Sequence, residues 1–222
     1  MNPYDIIYHF YPQDTPLRRL LILHSEKVRD KAFQILGAAR RANPSAELMA
    51  VDEQLVNQGA LLHDIGIGRT NAPGILCEGS EPYICHGTIG AQMLRELIAE
   101  ASGESSLSRS SRLSRDSRSS RGSSLVDDVA RLEQIARICE RHTGAGLTKD
   151  DIVSQNLPIE PVRDLVPETL EEKLVCLADK FYSKSGDPAK EKSLERVQRS
   201  MMKFGADSIA RFEDLCSTFY IK

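Results

Sequence analysis

Four residues, His63-Asp64-Ile65-Gly66, close the apolar stretch Gly59-Ala60-Leu61-Leu62 and set an imidazole and a carboxylate side by side, where both can reach one metal ion. Further donors recur along the chain. His24, His86 and His142 each lie in a helical pattern or at its edge, and Asp179 follows the apolar run Leu174-Val175-Cys176-Leu177-Ala178. Taken singly, each has a plainer explanation, either a hydrogen-bonded core histidine or an ordinary helix-surface pair of Asp179 with Lys180. Four of the five histidines fall into one ordered series, H, HD, H, H, D. That series favours a metal site, because imidazole plus carboxylate is the donor set that divalent zinc, manganese, iron, cobalt or nickel accepts.

The periodicity around these residues is helical. Tyr4, Tyr8, Phe10 and Tyr11 predict a short helix packed on the core. Asp14-Thr15-Pro16 offers a cap and a proline at the first helical position, after which Leu17, Leu20, Leu21, His24, Val28, Ala32 and Ile35 keep one face and point His24 inward. A second helix is expected from about Val51 into His63, released by Gly66 and Gly68. Arg69 to Pro82, rich in proline and glycine, reads as a loop or lid over the site. A third helix begins near Pro82 with His86 in its first turns, and a fourth runs from about Leu125 to Arg141 and ends at His142-Thr143-Gly144. Thr148 caps a short helix, and Thr169-x-x-Glu172 is a capping box for a helix with Asp179 near its centre. Two amphipathic helices, about Lys190 to Phe204 and Ala206 to Tyr220, follow. No alternating strand pattern of useful length occurs, so the expected fold is all α.

One stretch breaks the pattern. Between Ser102 and Ser124, Arg109, Arg112, Arg115, Arg118 and Arg121 recur every third residue among serines, with almost nothing apolar. Such a segment cannot offset its ordering entropy by burial and is expected to be a flexible insertion. A phosphorylatable or RNA-binding Ser/Arg tail fits less well, because the segment lacks aromatic residues and interrupts a domain rather than ending one.

At 222 residues and 41% hydrophobic content, one well-packed domain accounts for the whole chain, 1–222, with its core at about 15–185. A net charge of −3 gives no global attraction to nucleic acid or anionic membrane, so any phosphate binding must come from a local cluster and the expected partner is small rather than polymeric. No basic leader and no stretch of membrane-spanning length stands out, and a cytoplasmic protein is expected. Cys77, Cys85, Cys139, Cys176 and Cys216 are odd in number and form no C-x-x-C pair, so they are expected to pack as small hydrophobes beside the site rather than as a disulfide framework.

The ordered series resembles the HD-domain superfamily of metal-dependent phosphohydrolases, in the subset with the literal His-Asp-Ile-Gly signature, over roughly residues 15 to 185. The resemblance implies a helical bundle in which His24, His63, Asp64 and Asp179 ligate one metal, His86 and His142 ligate a second, and Asp64 bridges both. It implies hydrolysis of a small phosphate ester or anhydride, nucleotides included, by a metal-bridging hydroxide, with Asp64 as the catalytic carboxylate. Cations are then needed to bind phosphate, and Arg69, Arg141, Lys149, Lys180 and Lys184 are the candidates, Arg69 and Lys180 ranking first. The family often has lysine directly after the signature; here Ile67 stands there, with Arg69 as the available substitute. The Gly-Tyr-Pro extension of the cyclic-dinucleotide branch is replaced by Gly144-Ala145-Gly146-Leu147-Thr148, which argues against that substrate. The series is also similar to that of the superfamily's di-iron oxygenases, which cleave C–C or C–P bonds, and a non-catalytic ligand-binding HD protein is a third reading.

Overall fold

The computed structural model describes residues 1–102 and 121–221 of the chain. The first helix, α1 (Pro3–Phe10), buries Ile6 and Ile7 rather than its aromatics, and Tyr11 follows as its cap. α2 (Pro16–Ala42) begins as its sequence dictates: Thr15 accepts a hydrogen bond from the Arg18 N–H and Pro16 occupies the first turn. Its inward face is Leu21, His24, Ser25, Val28, Ala32, Ile35, Leu36 and Ala39. After the single turn α3 (Ala46–Met49), α4 (Glu53–Leu62) starts on an Asp52 cap and is buried along most of its length. The third long helix, α5 (His86–Ser102), packs along α6 (Arg121–Arg141), and α4 lies against α2, α6 and α8 (Leu170–Asp179). The short α7 (Lys149–Ser154) closes with a full Thr148/Asp151 capping box. The pair α9 (Leu194–Met201) and α10 (Ala206–Thr218), joined by a 3₁₀ turn at Met202–Phe204, completes the all-α bundle, with α10 against α8.

Several expectations change. The segment after the signature is more ordered than a loop. It contains 3₁₀ turns and a three-stranded sheet in which β1 (Thr70–Ala72) pairs antiparallel with β2 (Cys77–Glu78) and parallel with β3 (Glu81–Pro82). Strands of two or three residues carry no readable period. Asp179 is the last residue of α8, not a central one. The capping box there is half made: Thr169 accepts from the Glu172 N–H, but the Glu172 carboxylate accepts from the Glu168 N–H and from Arg137. The serine-arginine insertion falls mostly on residues 103–120, outside the described residues. At its edges Ser102 ends α5 and residues 121–124 already belong to α6, since a nucleated helix extends at little cost.

Gly66 does not release the chain by a left-handed turn, because its φ is −81°. It is required for proximity: a Cβ at Gly66 would sit 2.2 Å from the His86 carbonyl oxygen, so the first turn of α5 can approach the signature only where there is no side chain. Gly68 is similarly crowded by the Tyr11 ring.

Candidate metal centre

The same device presents three of the histidines. His63 and His142 directly follow the last residues of α4 and α6, and His86 follows a 3₁₀ turn at Tyr83–Cys85. In each, ring Nδ1 lies 2.7 Å from the carbonyl oxygen three residues back: Ala60, Cys139 and Tyr83. A carbonyl only accepts, so Nδ1 carries the hydrogen and donates, which satisfies a carbonyl at a helix or turn end and leaves Nε2 to face the site. Tyr83 also stacks on the His86 ring, 4.7 Å between centroids. His24, from the middle of α2, presents its Nε2 as well, 3.0 Å from Asp179 Oδ1 and 3.2 Å from Asp64 Oδ2.

The six side chains thus meet as two groups with a shared member. His24, His63, Asp64 and Asp179 form one, and Asp64, His86 and His142 the other, the candidate ligand atoms of each lying within 4.8 Å of one another. Asp64 Oδ2 faces His24 and His63 (3.2 and 3.1 Å), while Oδ1 faces His86 and His142 (3.5 Å each). Asp64 Oδ1 and His63 Nε2 are buried with no hydrogen-bond partner, and Asp64 Oδ2 is buried with the Lys184 ammonium 2.6 Å away. A buried carboxylate oxygen without a hydrogen bond is expensive, whereas a divalent ion between these atoms would satisfy all of them, so the residues fit such a group.

The electrostatics divide the two groups. Burial alone would push the His63 imidazolium down, but Asp64 and Asp179 outweigh it and hold its pKa up at about 9. Burial, reinforced by neighbouring His142, pushes His86 down to about 3, and burial likewise lowers His142. The Asp64 and Asp179 carboxyls are held well below their ordinary range: burial opposes this, but His63 and Lys184 beside Asp64, and Lys180 and Lys184 beside Asp179, overcome it. A metal needs the His63 lone pair, so filling the first group at pH 7 should expel about one proton. Its affinity should then rise about tenfold per pH unit until pH 9. Filling the second group should release none from His86, which is already neutral. Indicator-dye titration of proton release on metal addition, at pH 7 and pH 10, checks both; equal release at the two pH values would refute the division.

The candidate phosphate-binding cations separate as well. Arg69 is exposed and pairs with Glu96 at 3.3 Å, away from the cluster. Lys149 is exposed on α7. Arg141 is buried but turned to Glu168, Glu172 and the Val166 carbonyl, where it fastens α6 to α8. Lys180 donates to Asp179 Oδ2 (2.7 Å) and to the His142 carbonyl (3.0 Å). Lys184 reaches furthest in: its Nζ is 2.6 Å from Asp64 Oδ2 with a side chain only 10% exposed. A cavity of about 750 Å³ opens onto His86, His142, Asp179, Lys180 and Lys184.

Sequence reasoning passed over Tyr11, Tyr83 and Lys192. The Tyr11 hydroxyl donates to the Ile65 carbonyl (2.6 Å) and accepts from the Gly68 N–H (3.0 Å), pinning the turn that carries Asp64. Lys192 lines the cavity and donates to the Lys180 carbonyl. The cysteines are all buried. Burial pushes the Cys139 and Cys176 thiols up, and their Sγ atoms donate to the Leu62 and His142 carbonyls, so these two are neutral packing groups beside the histidines.

Residues 21–183 match the HD domain family. The chain belongs to that family. Among similar proteins, a tRNA (cytidine(56)-2'-O)-methyltransferase of Picrophilus torridus is 33% identical over 165 residues, 74% of this chain and 35% of the relative. A protein of Methanocaldococcus jannaschii described as uncharacterized is 35% identical over 58% of this chain and 49% of its own length. A tRNA (cytidine(56)-2'-O)-methyltransferase of Thermoplasma volcanium is 27% identical over 96% of this chain and 45% of its own. The chain therefore spans between about a third and a half of the length of these curated relatives. No solved structure matches it. Among the described residues, no helix is long and apolar enough to cross a membrane.

Proposed function

We propose that this HD domain is a metal-dependent phosphohydrolase acting on a small phosphate ester or anhydride, with nucleotides the first class to test. The observation that carries this reading is Asp64, whose two buried oxygens face two separate histidine groups, beside an open cavity lined by His86, His142 and Asp179. His24, His63, Asp64 and Asp179 would hold one divalent ion, and Asp64, His86 and His142 a second. The ions would supply an activated water at neutral pH and charge to steady phosphoryl oxygens. A water oxygen bonds to phosphorus as the ester or anhydride P–O bond breaks, and the proton released goes to the departing oxygen.

The chain's own groups have distinct parts. Lys180 is held by Asp179 and the His142 carbonyl and so orients a ligand rather than reaching for substrate. Lys184, next to Asp64, supplies positive charge where the transferring group must sit; burial disfavours its charged form, but Asp64 and Asp179 raise its pKa, so it stays protonated. Lys192 has no carboxylate partner among the described residues, which leaves it available to a phosphoryl oxygen. Methyl transfer, as named for two of the longer relatives, we do not assign to this chain, because a six-residue His/Asp cluster is a donor set for metal and not a methyl-donor site.

Phosphate release from a panel of nucleotides and simple phosphate esters, with manganese or iron supplied and oxygen excluded, tests the proposal. Turnover should persist without oxygen. Strict oxygen dependence would move the protein to the di-iron oxygenase reading, and two bound ions with no release from any substrate would make it a ligand-binding domain.

A further inference from the structure

The cavity is far larger than a phosphoryl group needs. At about 750 Å³ it lies in the range of pockets that enclose a whole organic ligand, roughly 300–1,000 Å³. Its chemistry changes along its length. The inner end is ionic, with His86, His142, Asp179 and Lys184, while the outer wall carries, between the polar Gln155, Ser200 and Arg211, the apolar side chains of Leu147, Leu157, Val197, Met201 and Phe204. The last three lie on α9 and the 3₁₀ turn after it, beyond the family-matched residues 21–183. Phe204 is the telling member: it lines the cavity and is 61% exposed, so a ligand ring seated there would remove its apolar surface from water. The wall is also anchored. Arg211 on α10 contacts Asp151 of α7 at 2.6 Å and the Gly146 carbonyl at 3.3 Å, tying the C-terminal helices to the loop that follows His142.

We infer that the outer half of this cavity is a subsite for an apolar, ring-sized organic group on the substrate, and that α9 and Phe204, not the metal centre, select it. The inference rests on the phosphohydrolase reading only for the phosphoryl half of the ligand. A substrate of this class places its phosphoryl group at Lys184 and the histidines and lays its ring against Phe204, beside Leu157 and Met201. Ser200, on the same cavity wall, marks where added bulk would fill the subsite.

Non-hydrolysable phosphonates separate the subsite from turnover. Isothermal titration of the full chain with manganese supplied compares methylphosphonate with 1-naphthylmethylphosphonate. The aromatic probe should bind at least about tenfold more tightly, from the apolar area it removes from water. Phe204→Ala should lose most of that difference and Ser200→Trp all of it, with methylphosphonate affinity retained in both and circular dichroism unchanged. Equal affinity for the two probes, binding of neither, or a preference that survives both substitutions would overturn the inference. A ring preference in a protein that hydrolyses no phosphate ester would retain the subsite and discard the hydrolase reading.

Discussion

Asp64→Ala is expected to strip the protein of metal and of turnover together, with metal affinity falling by at least about 100-fold and phosphate release reaching background. The reason is geometric. Each oxygen of Asp64 faces a different histidine pair, so its loss removes a donor from both groups at once, whereas losing His86 or Asp179 removes one from a single group. The substitution should also reduce proton release on metal addition at pH 7, because the Asp64 carboxylate is the largest of the influences that raise His63, with Asp179 the other. Elemental analysis, a phosphate-release assay and dye titration check all three, and a thermal melt checks that the variant is folded. A variant that still held two ions per chain, with a normal melt, would show that Asp64 does not join the two groups.

The legible part of this molecule was the part with a period. His24 sits on the face shared by Leu21, Val28 and Ala32, and in a helix that spacing alone turns it inward beside Asp64 and Asp179. His63 and His142 were readable as helix-end residues because glycines follow them closely, Gly66 and Gly68 after the first and Gly144 and Gly146 after the second. What the sequence hid were relations without a period. The strands at residues 70–82 are too short to alternate, and Asp179 was misplaced along its helix because the apolar run extends to Phe181 while the helix ends at Asp179. Tyr11 is 57 residues from Gly68, and nothing local signals that its hydroxyl braces the signature turn.

Where the candidate cations lie was hidden for the same reason. Arg69 is near Asp64 in sequence, but the 3₁₀ turn at Ile67–Arg69 carries it outward to Glu96, whereas Lys184, 120 residues from Asp64 along the chain, is returned to it by the turn after α8. Proximity to a motif says little about which side of a turn a long side chain takes. The apolar outer wall was invisible because its members lie on separate elements, and each reads singly as an ordinary helix-face residue.

Lys184→Ala should lower the rate of phosphate release by about 100-fold while leaving metal binding intact or tighter. The two effects have opposite sign because Lys184 stands in two relations at once. Toward substrate, its ammonium is a fixed positive charge in a largely water-excluded position next to Asp64, where charge stabilisation is strongest. Toward metal, it competes: Asp64 and Asp179 are neutralised by Lys184 and Lys180, and removing one cation leaves the carboxylates more negative and better able to attract a divalent ion. A merely structural lysine would behave differently, since its loss would lower metal content, melting temperature and rate in parallel. Lys184→Arg separates the possibilities further: it keeps the charge but replaces a compact ammonium with a planar fork, and should restore part of the rate without changing metal content. Unchanged turnover in Lys184→Ala at full metal occupancy would remove Lys184 from the proposed machinery and leave Lys192 as the cation facing the phosphoryl group.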